Sequence, residues 1–263
     1  MTVHAALTPA ERSALERTRF VVVGVGGLGC PTLLALLAAG ARRFSLWDPD
    51  RVDASNLQRQ VLFDLGDVGA LKVEAAAAQL RRRRADVEVE THPRRIDAAE
   101  LPAWAGELDA GDVVLEGSDS PALKFAMNDA CLAADRKLVV GGVIEWRGQA
   151  MAVRPGATCY RCVYEAPPPR EHAPRCADVG VMGAGAGLIG HLSAALAVRL
   201  ALPRLAAATA GELHTWDFLR MQARTLAPRP RPACPACAGA APIAPEVATP
   251  SGLRHPHSPP PQP

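Results

Sequence analysis

Arg19-Phe20-Val21-Val22-Val23-Gly24-Val25-Gly26-Gly27-Leu28-Gly29 is the stretch that decides the fold. Arg19 to Val23 reads as a short buried strand, because β-branched residues favour the pleated conformation. Gly24, Gly26, Gly27 and Gly29 then supply a tight turn whose backbone can come close to a ligand. Pro31 to Ala39 continues as an apolar helix that Gly40 ends. Arg43 to Trp47 reads as a second strand, closed by Asp48. Strand, glycine turn, helix and strand within about 30 residues make a nucleotide-binding βαβ unit. The helix N-terminus offers free N–H groups and a partial positive charge to a phosphate. Asp48 lies 19 residues past Gly29, at the strand tip where an acid takes ribose hydroxyls. This unit alone does not choose between a nicotinamide dinucleotide and ATP.

Outward from the unit, strands and helices keep alternating. Thr8-Pro9-Ala10-Glu11 is a helix start, with a capping hydroxyl, an early proline and an acid in the first turn. Leu71 to Arg84 reads as a helix and Val87 to Thr91 as a strand. Val113 to Leu115 is a short buried strand followed by Glu116-Gly117-Ser118-Asp119, then a helix over Ala122 to Ala134 and a strand over Lys137 to Gly141. This alternation predicts an α/β fold, a Rossmann-like doubly wound sheet of mostly parallel strands. Near residue 150, Pro, Cys and Gly become frequent. Ala166 to Pro174 reads as a loop, Gly183 to Arg199 as a helix and Leu213 to Arg220 as a strand. One domain is expected over residues 1–239. Residues 240–263 are rich in proline without periodicity and are expected to be a disordered tail.

The chain has 263 residues, enough to bury a large core without disulfides. Its net charge of +2 gives no bulk electrostatic case for nucleic acid or a membrane surface. Arg81 to Arg84 is the one dense basic run and reads as a solvated helix end, with an acidic-partner patch as the alternative. There is no signal pattern at the N-terminus and no charge-free apolar run of about 20 residues, so no membrane span is expected and the cytoplasm is the expected compartment. Seven cysteines in a reducing compartment favour metal ligands or reactive thiols.

Two Cys-x-x-Cys pairs stand out: Cys159-Tyr160-Arg161-Cys162 and Cys234-Pro235-Ala236-Cys237. Four thiolates suit tetrahedral Zn²⁺, and each pair can chelate from one turn. The 71 residues between the pairs mean that the ion would clip distant parts of one fold together. Such a closed site is structural, with no open position for catalysis. Cys30 and Cys131 fall on apolar helices and read as core residues.

Asp48-Pro49-Asp50-Arg51-Val52-Asp53-Ala54-Ser55-Asn56-Leu57-Gln58-Arg59-Gln60 separates the nucleotide possibilities. Arg59 is a planar cation suited to a polyphosphate, Asn56 can bond phosphate or ribose, and Lys72 is a second candidate cation. With the glycine turn before it, this run resembles the ThiF/MoeB family of adenylyltransferases, bacterial relatives of ubiquitin-activating enzymes. The resemblance covers roughly residues 20 to 237. It implies that Gly24, Gly26, Gly27, Gly29, Asp48, Asp50, Ser55, Asn56, Arg59, Lys72, Asp119 and Ser120 form an ATP site. Asp48 would hold the ribose, while Asn56, Arg59 and Lys72 would contact the triphosphate. Asp119 would organise Mg²⁺ and the α-phosphate. The family usually has Asp-Asn and then an Arg five residues after the Asp, where this chain has Asp119-Ser120 and Lys124. The family's N-terminal Arg-Tyr-x-Arg-Gln segment has no match in residues 1–19, where Arg12, Arg17 and Arg19 are the available substitutes.

The resemblance also implies zinc at the two cysteine pairs, a homodimer, and a role for Cys176. A cysteine at that place lies in a mobile loop and forms a thioester, acyl-disulfide or persulfide with a carrier. Arg175 would raise its thiolate content, and an unreactive loop thiol is the alternative. The implied reaction is ATP-dependent adenylation of the C-terminal glycine carboxylate of a ubiquitin-like sulfur-carrier protein, with release of pyrophosphate. Asp119, Arg59, Lys72 and Cys176 would carry it, and a separate protein would donate sulfur. The alternatives are adenylation of another peptide carboxylate, a carrier-binding scaffold without catalysis, and a nicotinamide oxidoreductase.

Overall fold

The computed structural model describes residues 7–169 and 180–238. In chain order its elements are α1 (Pro9–Arg17), β1 (Arg19–Val23), α2 (Gly29–Ala39), β2 (Arg43–Trp47), α3 (Lys72–Arg83), β3 (Glu88–His92), α4 (Leu101–Gly106), β4 (Val113–Glu116), α5 (Pro121–Ala133), β5 (Lys137–Ile144), β6 (Arg147–Val153), α6 (Tyr160–Val163), α7 (Gly183–Ala201), α8 (Pro203–Thr209), β7 (Leu213–Asp217) and β8 (Gln222–Leu226). The strands form one sheet in the order β3-β2-β1-β4-β5-β6-β7-β8. Strands β3 to β5 in that order pair in parallel, and β5 through β8 pair antiparallel.

Local chemistry explains the boundaries. Thr8 and Glu11 cap α1 reciprocally: the Glu11 amide donates to Thr8 Oγ1 and the Thr8 amide donates to Glu11 Oε2. Gly40 ends α2 at φ 104°, a conformation that only glycine adopts freely. Successive residues of β1 face opposite layers, as strand geometry requires. Phe20 and Val22 pack with Phe44, Leu46, Leu33 and Leu36 in one core. Val21 and Val23 pack with Val114, Val140, Trp104 and Phe125 in the other. The sheet is thus covered on both faces, as a parallel sheet must be.

Helix α7 is long and apolar enough by composition to cross a membrane, but more than half of it is buried inside the protein. It packs against α2, β5 and β6 and serves as the core helix of that layer.

Two strands escape the sequence reading. Strand β6, Arg147-Gly-Gln-Ala-Met-Ala-Val, is rich in Gly and Ala, which carry little strand preference. Strand β8 is exposed along its whole length, so no alternation marks it. Strand β5 also runs past Gly141 to Ile144, because β6 pairs with it across the two glycines. Residues 240–263, read as a tail, and Cys176 with Arg175 lie outside the described residues.

Candidate nucleotide cleft and cysteine cluster

A cleft opens at the C-terminal ends of β1, β2 and β4, where open α/β sheets bind ligands. Gly24 leaves β1 at φ +91°, and a Cβ there would lie 2.9 Å from the Ser118 amide nitrogen. A Cβ on Gly29 would lie 2.1 Å from the Gly24 carbonyl oxygen, so the turn closes onto α2 only with glycine there. Gly29 serves this packing, whereas Gly24, Gly26 and Gly27 line the cleft.

Asp48 is buried at the tip of β2. Its Oδ2 accepts from the Val25 amide at 2.7 Å and its Oδ1 from the Asp50 amide at 2.9 Å. Burial pushes its carboxyl above the usual range, against the pull of Lys72 and these two amides. Lys72, the first residue of α3, is nearly buried. Its Nζ lies 2.8 Å from Asp50 Oδ2 and 3.9 Å from Asp48 Oδ1. Arg59 donates through Nη2 to Asn56 Oδ1, and its aliphatic stem lies 3.4 Å from where a Cβ on Gly27 would stand. Asn56, Arg59, Lys72 and Asp50 all line the cleft. Ser55 does not line it: its hydroxyl donates to Asp53 Oδ1 at 2.6 Å on the surface.

Across the cleft, Asp119 is exposed and forms no ion pair among the described residues. Ser120 caps α5 by accepting the Leu123 amide at 3.3 Å. Lys124 is buried, with Nζ donating to Glu116 Oε2 at 2.5 Å, the Gly141 carbonyl at 2.7 Å and the Ser118 carbonyl at 2.8 Å. Glu116 Oε1 accepts the Ser118 amide at 3.0 Å and also the Ser118 hydroxyl. The loop carrying Asp119 is therefore tied from beneath. Neither Gln60, Glu116 nor the buried use of Lys124 was singled out in the sequence; a Gln beside an Arg and an acid at a strand end carry no periodic signal.

The cleft has a volume of about 1450 Å³, more than the 300–1,000 Å³ typical of a small-molecule site, and continues over the sheet to Gln149, Thr215 and Arg224. It has room for a nucleotide and for part of a second substrate. Of the N-terminal arginines, Arg19 pairs with Asp112 at 2.6 Å at the far edge of β1, and Arg12 donates to the Leu7 carbonyl.

The four cysteines Cys159, Cys162, Cys234 and Cys237 bring their sulfurs within 4.8 Å of one another. The sulfurs stand 3.8 Å apart in Cys159–Cys162, 3.6 Å in Cys159–Cys234 and 3.4 Å in Cys162–Cys237. A tetrahedral ion with bonds of about 2.3 Å to sulfur places its ligands about 3.8 Å apart, so this cluster fits a four-thiolate metal site. The Arg231 amide donates to Cys162 Sγ at 3.3 Å, the kind of bond that steadies a ligating thiolate. Between the first two cysteines, the Tyr160 amide donates to Asn128 Oδ1 and Arg161 pairs with Asp129, which fastens the cluster to α5. Cys30 and Cys131 are core residues, with burial pushing both thiols up to about 12.

Residues 3–236 match the ThiF family. The chain belongs to the ThiF family. It is 37% identical over 230 residues to the SAMP-activating enzyme E1 of Haloferax volcanii, covering 87% of this chain and 83% of that one. It is 36% identical over 238 residues to the sulfur carrier protein adenylyltransferase of Thermus thermophilus, covering 87% and 85%. It spans about half the length of other ThiF-family relatives, such as the adenylyltransferase and sulfurtransferase MOCS3 of Anopheles gambiae, with 36% identity over 228 residues and 86% and 51% coverage. Among solved structures, E. coli MccB with AMPCPP and MccA superposes with a TM-score of 0.76 at 20% identity, over 87% of this chain and 68% of that one. This last likeness bears on the fold alone.

Proposed function

We propose that the chain is an adenylyltransferase that uses Mg-ATP to activate the C-terminal glycine carboxylate of a ubiquitin-like sulfur-carrier protein. The observation that carries this reading is the convergence of five groups on one cleft: the glycine turn, the Asp48 carboxylate, the Asn56–Arg59 pair, Lys72 and Asp119. The names of the Haloferax volcanii and Thermus thermophilus relatives support the acceptor class.

In this reading Asp48 holds the ribose, and the amides at the start of α2 meet the phosphates. Arg59 and Lys72 take charge from the triphosphate. Mg²⁺ characteristically binds through one or two carboxylates together with substrate phosphates, and Asp119 is a cleft-lining carboxylate with no ion pair among the described residues. The ion would supply charge neutralisation. A carboxylate oxygen of the acceptor attacks the α-phosphorus, the bond from that phosphorus to the bridging oxygen breaks, and pyrophosphate leaves with the electron pair. The nucleophile is already ionised, so no side-chain base is needed. Positioning and electrostatics supply the acceleration.

Zn²⁺ is our assignment for the four cysteines, as a closed structural clip. We further read the protein as a cytoplasmic homodimer. The exposed side chains of Val61, Leu65 and Val68, just past Arg59, support burial against a second copy. A separate protein would donate sulfur, and Cys176 would be the thiol that receives the activated carrier.

The test is mass spectrometry of small Gly-Gly-ending carriers incubated with the protein, ATP and Mg²⁺. A carrier gaining the mass of an adenylyl group supports the reading. No modified carrier, from protein that binds ATP, would move the reading to a different acceptor.

A further inference from the structure

Gln60 is only 3% exposed, yet its carboxamide oxygen has no hydrogen-bond partner among the described residues. Oε1 is enclosed without a donor. Nε2 lies 3.8 Å from where a Cβ on Gly26 would stand, and the residue lines the cleft. Its backbone is fixed: the Gln60 amide donates to the Asn56 carbonyl, and the Gln60 carbonyl accepts from Phe63. Arg59 and Gln60 thus lie over Gly27 and Gly26 in turn, immediately before the N-terminus of the 11-residue helix α2.

A buried carboxamide oxygen without a donor costs about 1–3 kcal/mol. Such groups in native proteins call for an explanation, and a missing ligand is one. We propose that Gln60 is a phosphate-binding residue, its Nε2 donating to a phosphate oxygen of the bound nucleotide at the glycine turn. Phosphate oxygens are acceptors only, so the amide nitrogen is the atom that meets them. Oε1 is left to accept from a water or hydroxyl that enters with the nucleotide. Gln60 adds a neutral, directional donor beside Asn56 to a subsite whose cations are Arg59 and Lys72. This rests on the adenylylation reading, and its test separates the two.

The experiment is calorimetric binding of ATP, AMP and adenosine to wild type, Gln60→Leu and Gln60→Glu, with thermal unfolding of each. Gln60→Leu removes an unsatisfied buried polar group, so its Tm should match or exceed that of wild type. Its ATP affinity should fall about ten- to a hundredfold, the value of a hydrogen bond to a charged group, while adenosine binding stays unchanged. Gln60→Glu should lose more ATP affinity, because it sets a carboxylate against the phosphates. Unchanged ATP affinity in both variants, or equal losses for adenosine and ATP, overturns the proposal. Wild type that binds no adenine nucleotide removes the adenylylation reading, and this proposal with it.

Discussion

Lys124 Nζ sits 2.5 Å from Glu116 Oε2, and both side chains are almost wholly enclosed. The sequence had suggested Lys124 as a stand-in for an arginine near the nucleotide. The structure gives it different work. All three ammonium protons are used, on Glu116 and the Ser118 and Gly141 carbonyls. Lys124 holds the loop that carries Asp119, while Arg59 and Lys72 line the cleft beside the glycine turn.

Breaking this pair on one side leaves a buried charge. Lys124→Ala should destabilise the protein by about 3–5 kcal/mol, measured by urea denaturation. The double change Lys124→Met with Glu116→Leu should recover much of that loss, since it removes both charges and keeps the volume. Equal destabilisation by single and double variants would show that the pair is not the cause.

Asp48 is buried with its carboxyl held above the usual range, chiefly by desolvation. Its stability contribution is therefore fully present below the ordinary Asp value and declines as pH rises through the shifted one. At pH 7 the buried carboxylate carries that desolvation cost, which Lys72 and the two backbone amides offset in part. Asp48→Asn should flatten the dependence of stability on pH above the ordinary Asp value while weakening ATP binding at the ribose. An unchanged pH dependence together with intact binding would contradict both assignments.

Glu11 runs the other way. The hydrogen bond from Arg204 on α8, together with the capping bonds from Thr8, lowers its carboxyl from 4.5 to about 2. A depressed acid stabilises above its ordinary value, and that contribution is lost as pH falls from 4.5 toward 2. Arg204→Ala should shift the acid-unfolding midpoint to higher pH, followed by circular dichroism. An unmoved midpoint would mean that the tie between α1 and α8 contributes nothing.

The cysteine cluster predicts one zinc per chain by elemental analysis, falling to none in Cys159→Ser with Cys234→Ser. Because Tyr160 and Arg161 fasten the cluster to Asn128 and Asp129, loss of the ion should speed amide exchange along α5. Metal loss with unchanged exchange in α5 would confine the clip to its own loops.

Much of this molecule was legible beforehand, and unevenly so. The βαβ unit read to the residue at β1 and β2, because Val-rich strands and a helix ended by Gly40 follow local rules. The four cysteines also met as their spacing implied. Strand β8 was invisible because an exposed edge strand has no buried face to create alternation. Gln60 and Glu116 were missed for another reason. Their importance lies in what surrounds them, an unpaired carboxamide and an enclosed ion pair, and neither appears until the chain is folded. Ser55 shows the converse, a residue in the motif run whose hydroxyl serves Asp53 at the surface.

The most direct test of the central claim is carrier-dependent ATP–pyrophosphate exchange across a panel of Gly-Gly-ending proteins, comparing wild type with Asp119→Ala. The account predicts exchange that requires one carrier and falls more than about a hundredfold in the variant, as expected for loss of the carboxylate that would hold the charge-neutralising Mg²⁺. Exchange that survives in Asp119→Ala, or that never depends on a carrier, would contradict it.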